Sequence, residues 1–128
     1  MEATQGTGHR PTEIRLKDKG RVLDVTFEDG RRFALGAEYL RVMSPSAEVQ
    51  GHSEKDRVTI GGKRGCAMIE VAPVGSYAVR LGFDDMHSTG IFTWDYLYDL
   101  GANFAQRWRA YEEELAAKGL DRDRPGQK

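Results

Sequence analysis

Cysteine is almost missing from this chain. A single Cys66 stands among 128 residues, so no internal disulfide can form, and its absence suits a reducing, cytoplasmic setting. Long apolar runs are missing as well. The opening stretch MEATQGTGHRPTE is polar throughout and has neither the apolar core of a secretion signal nor the length of a membrane span. An excess of either charge is also lacking, with 19 Lys and Arg against 20 Asp and Glu. A chain this close to neutrality has no long-range field to draw in a phosphate backbone, which argues against nucleic-acid binding.

What is present describes one ordinary domain: 128 residues, 39% hydrophobic and 30% charged, enough for a single core. Residues 1–10 are Gly- and Thr-rich and read as a disordered lead-in, and residues 119–128 (GLDRDRPGQK) as a flexible charged tail. The folded unit is expected over residues 11–118. Ile14 and Leu16 alternate with Glu13, Arg15 and Lys17, and Leu23, Val25 and Phe27 with Asp24 and Thr26; both are the period-two pattern of half-buried strands. Asp29-Gly30 marks a tight turn, so Phe33 to Leu35 should return antiparallel. Tyr39, Leu40 and Met43 then change the period to that of a short helix closed by Pro45. After a polar loop and a short strand at Val58 to Ile60, Met68–Val71 and Tyr77–Phe83 predict a hairpin.

Two helices close the pattern. Thr93 is the expected N-cap of the first, with Gly101 as its stop. Asn103 is the expected cap of the second, where Phe104, Trp108, Tyr111 and Leu115 form one apolar stripe. The whole is an α+β fold: a small, mainly antiparallel sheet with hairpins, a short helix after the third strand, and C-terminal helices packed on the sheet.

Chemistry-bearing residues are few. His9 falls in the lead-in and His52 in a polar loop, whereas His87 follows a strand end in FDDMHSTG, where a rigid scaffold can present functional groups. It reads either as a metal ligand or acid/base oriented by Asp84 or Asp85, or as a turn histidine bonded to a nearby oxygen. Asp84-Asp85 reads either as a carboxylate pair for a hard cation or as a turn former. Glu48 and His52, four apart, would share a face if that loop were helical, although Gly51 argues against it. GGKRG lacks the Gly-Lys-Ser/Thr of a phosphate loop and reads as a turn with solvated basic residues. Cys66 reads as a packed, inert thiol, and no serine lies in a G-x-S-x-G context.

The blocks EYLRVMSPSAEVQGH, APVGSYAVRLGFDDMHSTGI and FTWDYLYDLG resemble the gamma-butyrobetaine hydroxylase-like N-terminal domain family. The resemblance implies a domain that precedes a separate iron- and 2-oxoglutarate-dependent catalytic domain in carnitine-pathway hydroxylases. Related domains are fused to P-loop iron–sulfur carriers, and bacterial members stand alone. In the hydroxylases a structural zinc is held by three cysteines in Leu-Arg-x-x-Cys-Pro-Cys-x-x-Cys and by one histidine. Leu40-Arg41 match that motif and His87 matches the histidine, but Ser44, Ser46 and Val49 stand where the cysteines would be. Neutral hydroxyls and a valine do not replace thiolates, so no zinc is expected in the hydroxylase manner.

The function expected is a stand-alone accessory or protein-binding domain linked to iron–sulfur or iron-dependent metabolism, with Tyr96 on the partner surface. The alternative is an iron- or zinc-binding module centred on His87, with Asp84, Asp85, Glu48 and His52 as candidate co-ligands. An oxidoreductase of the hydroxylase type is the weaker alternative. No catalytic residues and no 2-His-1-carboxylate triad are recognisable.

Overall fold

The computed structural model describes residues 9–46, 58–88 and 90–123. Its antiparallel strands divide into two three-stranded sheets, each a meander in chain order. The first contains β1 (Pro11–Lys17), β2 (Val22–Phe27) and β3 (Arg32–Gly36). Register places Ile14, Val25 and Phe33 in one cross-strand row and Leu16, Leu23 and Leu35 in the next. These rows form the face turned to the core, where Leu23, Val25, Phe27 and Leu35 are buried. Asp24 is on the opposite face yet also buried. Arg32 grips its carboxylate with two nitrogens and Lys17 Nζ adds a contact at 2.9 Å. Those two cations hold the acid far below the usual carboxylate range.

The β1–β2 turn also joins the two sheets. Gly20 has φ +88° and lies directly on the main chain of Met68, the first residue of β4 (Met68–Val74). A Cβ there would collide with the Met68 carbonyl oxygen, so both the backbone angle and the contact require glycine. β4 pairs with β5 (Ala78–Phe83), and β5 with β6 (Gly90–Thr93). Val79, Leu81 and Phe83 of β5 are buried in the same core as Phe92 of β6. The expected hairpin is present. Between Phe83 and Thr93, where the sequence pattern announces no strand, lies β6, which is too short, and begins with too accommodating a glycine, to show a period. Val58 to Ile60, expected as a strand, joins no ladder.

α1 (Ala37–Val42) follows β3 directly. Tyr39 is buried there and its hydroxyl donates to the Leu100 carbonyl at 2.7 Å, tying α1 to α2 (Trp94–Ala102). Thr93 caps α2 as its position predicts, its Oγ1 accepting the Tyr96 amide at 3.2 Å. Gly101 does not stop the helix. It lies inside α2, against the ring of Phe33, where a side chain would overlap the ring. Asn103 offers no cap to α3 (Phe104–Ala117) but turns its amide back to Asp99 of α2. Along α3, Tyr111 and Leu115 are buried, while Phe104 and Trp108 meet Tyr39 edge-on. Tyr111 donates to the Ile60 carbonyl at 2.5 Å.

Both ends are anchored further than composition indicated. His9 and Arg10, placed in the lead-in from sequence, are docked. The His9 ring stacks on Tyr98 at 3.6 Å with Nδ1 2.8 Å from Asp95, and the Arg10 carbonyl accepts the Glu28 amide. Residues 119–123, expected to begin a free tail, fold back beside residues 62–64. The Gly62 amide donates to the Asp121 carbonyl and the Arg64 amide to that of Arg122. Arg122 closes a two-bond pair with Glu38 at 2.7 and 2.6 Å. Composition misleads here because His9 and Arg122 each have a specific carboxylate and ring to meet. Residues 1–8 and 124–128 lie outside the described residues.

Candidate functional site

The segment after α1 meets the turn after β5, bringing Ser44 to His87. Ser44 Oγ and His87 Nε2 share a hydrogen bond of 3.0 Å, and both residues are buried. Ser44 Oγ also accepts the Ser46 amide at 3.3 Å. Gly90 packs against the same hydroxyl so closely that a Cβ would crowd it. The turn is fixed from both sides: the Phe83 amide donates to the His87 carbonyl, and the His87 amide to Asp85 Oδ1 at 3.2 Å.

Asp85 organises the charged half of the cluster. Its Oδ2 accepts from Arg41 Nε at 2.8 Å and from Lys63 Nζ at 2.6 Å. Burial pushes this carboxyl up, but Lys63, Arg41 and the His87 amide together outweigh it and bring the acid down to about 2. Asp85 is therefore ionised at neutral pH, with every contact on it a donor. Asp84 takes another course: its amide donates to Ala67 and the residue is exposed. The two adjacent acids do not converge, as expected of neighbours leaving a strand.

Of the residues singled out in the sequence, the structure brings His87 and Asp85 together and leaves Asp84 outside the cluster. Glu48 and His52 lie outside the described residues. Tyr96 is half-buried rather than presented outward, its hydroxyl donating to the Met43 carbonyl at 2.5 Å and its ring stacked near Phe92. Arg41 and Lys63 were not foreseen. Arg41 is a lone cation in the apolar run Tyr39-Leu40-Arg41-Val42-Met43, and that interruption was the available signal. Lys63 sits in a Gly-rich turn and carries no signal in one sequence.

Two chemistries can be tested on this geometry. A Ser–His pair at 3.0 Å has the spacing of a nucleophile and its base. Ser44 is wholly enclosed, however, and a substrate carbon cannot reach it. The zinc implied by the family resemblance also meets the wrong donors. Ser44 and Ser46 occupy two thiolate positions with neutral hydroxyls, and Ser44 already bonds the surviving histidine directly. Among the described residues no three His, Cys, Asp or Glu side chains converge on one point. Cys66 is buried nearby, and burial with the adjacent Asp84 and Asp85 charges pushes its thiol up to about 12, leaving it an inert core residue.

No match is found among curated proteins. Solved structures similar to the chain do exist. A solution NMR structure aligns with a TM-score of 0.78 at 42% identity, covering 94% of each chain. A second NMR structure gives 0.78 at 38% identity, covering 100% of this chain and 98% of the other. A crystal structure at 1.93 Å resolution is of a protein of unknown function in the DUF971 family from Acidithiobacillus ferrooxidans ATCC 23270. It aligns at 43% identity with a TM-score of 0.60, covering 73% of this chain and 93% of its own. The family model for the gamma-butyrobetaine hydroxylase-like N-terminal domain matches residues 14–98, spanning both sheets and most of α2. The chain belongs to the gamma-butyrobetaine hydroxylase-like N-terminal domain family.

Proposed function

We propose that this protein is an accessory domain that binds a protein partner through the turn between β5 and β6. The observation that carries this reading is Met86. It holds a left-handed backbone (φ 71°) and is 83% exposed. A left-handed angle on a non-glycine residue costs about 1–2 kcal/mol, and an apolar side chain in water gives nothing back to folding. Met is suited to adaptable binding surfaces. Ile69, near the start of β4, is also largely exposed, and the Asp84 amide bonded to the Ala67 carbonyl brings β4 and this turn side by side. The family resemblance supports a partner drawn from iron–sulfur or iron-dependent machinery.

The test is cross-linking of the full chain in native lysate, comparing wild type with Met86→Asp and Ile69→Asp. The expected result is one reproducible cross-linked product, identified by mass spectrometry and lost in both variants. A product that survives both substitutions moves the surface elsewhere, and no reproducible product overturns the reading.

A further inference from the structure

We propose that the outer edge of β1 pairs with the same edge of a second copy of this chain, across a two-fold axis, to make one continuous antiparallel sheet. The fold protects its other sheet edges. β3 runs into α1 and has α2 packed against it. β4 carries Pro73, which has no amide to offer an incoming strand. β6 is four residues long and passes directly into α2. β1 has no such protection among the described residues. It is seven residues long, its proline stands at the first position, its bulge is at Thr12, and none of its residues is buried. Natural sheets seldom leave such an edge open.

The ladder fixes which groups face outward. The Phe27 amide donates to the Arg31 carbonyl and the Ala37 amide to the Arg21 carbonyl. Odd-numbered residues of β2 therefore bond β3, and even-numbered ones bond β1. Those even-numbered residues stand opposite Glu13, Arg15 and Lys17. The main-chain groups of Ile14 and Leu16 thus point away from β2, and among the described residues nothing bonds them. The Leu16 side chain marks the same gap. It is 41% exposed although Leu23 and Leu35, the rest of its cross-strand row, are buried. The row ends one strand short.

The occupant is a second copy because the edge complements itself. Antiparallel pairing centred on Ile14 sets the two Ile14 residues opposite each other, where they exchange main-chain bonds. It sets Glu13 opposite Arg15 twice, Leu16 opposite Thr12, and Lys17 opposite Pro11, so no like charges meet. Centring on Arg15 would oppose its two copies, and centring on Leu16 would oppose Arg15 to Lys17, both unfavourable. Glu13 and Arg15 are 50% and 64% exposed, and they bond each other along the strand at 2.7 Å. That single contact leaves guanidinium nitrogens and a carboxylate oxygen for the copy across the seam.

This pairing is independent of the partner reading, because Met86 and Ile69 belong to the second sheet and its turn. Sedimentation velocity of the full chain, from micromolar to millimolar concentration, should show reversible dimer formation. Hydrogen exchange over the same range distinguishes this edge from any other contact. The Ile14 and Leu16 amides should slow as the dimer forms, whereas those of Glu13, Arg15 and Lys17, already bonded to β2, should not change. Arg15→Glu, at an exposed position, should weaken association about tenfold, since the two-fold axis applies each change twice. Adding Glu13→Arg to it should restore association, which a register centred on Arg15 would not allow. Met86→Asp should leave association unaltered. A monomer at every concentration, a dimer without slower exchange at Ile14, loss of the dimer in Met86→Asp, or a charge swap that fails to rescue overturns the proposal.

Discussion

Gly20 is a residue whose neighbours leave no alternative. Its positive φ and its contact with the Met68 main chain act together, and a backbone oxygen cannot swing aside as a side chain can. Gly20→Ala should therefore destabilise the protein by about 1–3 kcal/mol, the usual range for forcing volume into a packed place, seen as a lowered Tm in calorimetry. Gly30, at the β2–β3 turn, has open space around it, and alanine there should cost less, because only the backbone angle is strained. At the same scale, Cys66 should be silent toward a thiol reagent in the native protein, since burial holds it as the neutral thiol. The reagent should react fully only when denaturant is added; fast native labelling would show that the pocket opens.

Helices and strands differ in how far the sequence announced them. β1, β2 and β3 were legible because polar and apolar residues alternate strictly and Asp29-Gly30 fixes the return. α2 was legible from Thr93, and Thr93→Ala should cost about 1 kcal/mol, measurable by denaturant unfolding. β6 was not legible: its four residues, Gly90–Thr93, are fewer than any periodicity needs. The docking of residues 119–123 was equally hidden, because Arg122 finds Glu38 across the fold, 84 positions away. Deleting residues 119–128 should remove that pair and the backbone bonds to Gly62 and Arg64. Faster amide exchange at residues 62–64, with β2 unchanged, is the expected signature. At the candidate site, His87 was legible and its Ser44 partner foreseeable only as a replaced cysteine position. Arg41 and Lys63 required the third dimension.

For the whole molecule, pH is the informative variable. Asp85 titrates at about 2 when folded, against an ordinary value near ~3.9, and Asp24 is shifted the same way. A carboxyl depressed by folding adds stability that is complete above its ordinary value and disappears as pH falls through the folded one. Tm should therefore stay level down to the ordinary carboxylate range and fall steeply below it. Asp85→Asn should flatten part of that acid limb while lowering Tm at neutral pH, because Arg41 and Lys63 lose their shared partner. A Tm profile indifferent to acid would contradict both ion clusters.

The meander order of the two sheets has a kinetic consequence. Among the described residues every strand pairs only with its sequence neighbour, β1 with β2, β2 with β3, β4 with β5 and β5 with β6, so each sheet can zip from its own turns without waiting for distant chain to arrive. Low average sequence separation between paired residues speeds folding. The slow event is then the meeting of two preformed halves, where Gly20 settles on Met68 and the Tyr39 hydroxyl finds Leu100. Substitutions at that seam should slow the folding rate, whereas those within either hairpin should mainly change how quickly its own half assembles.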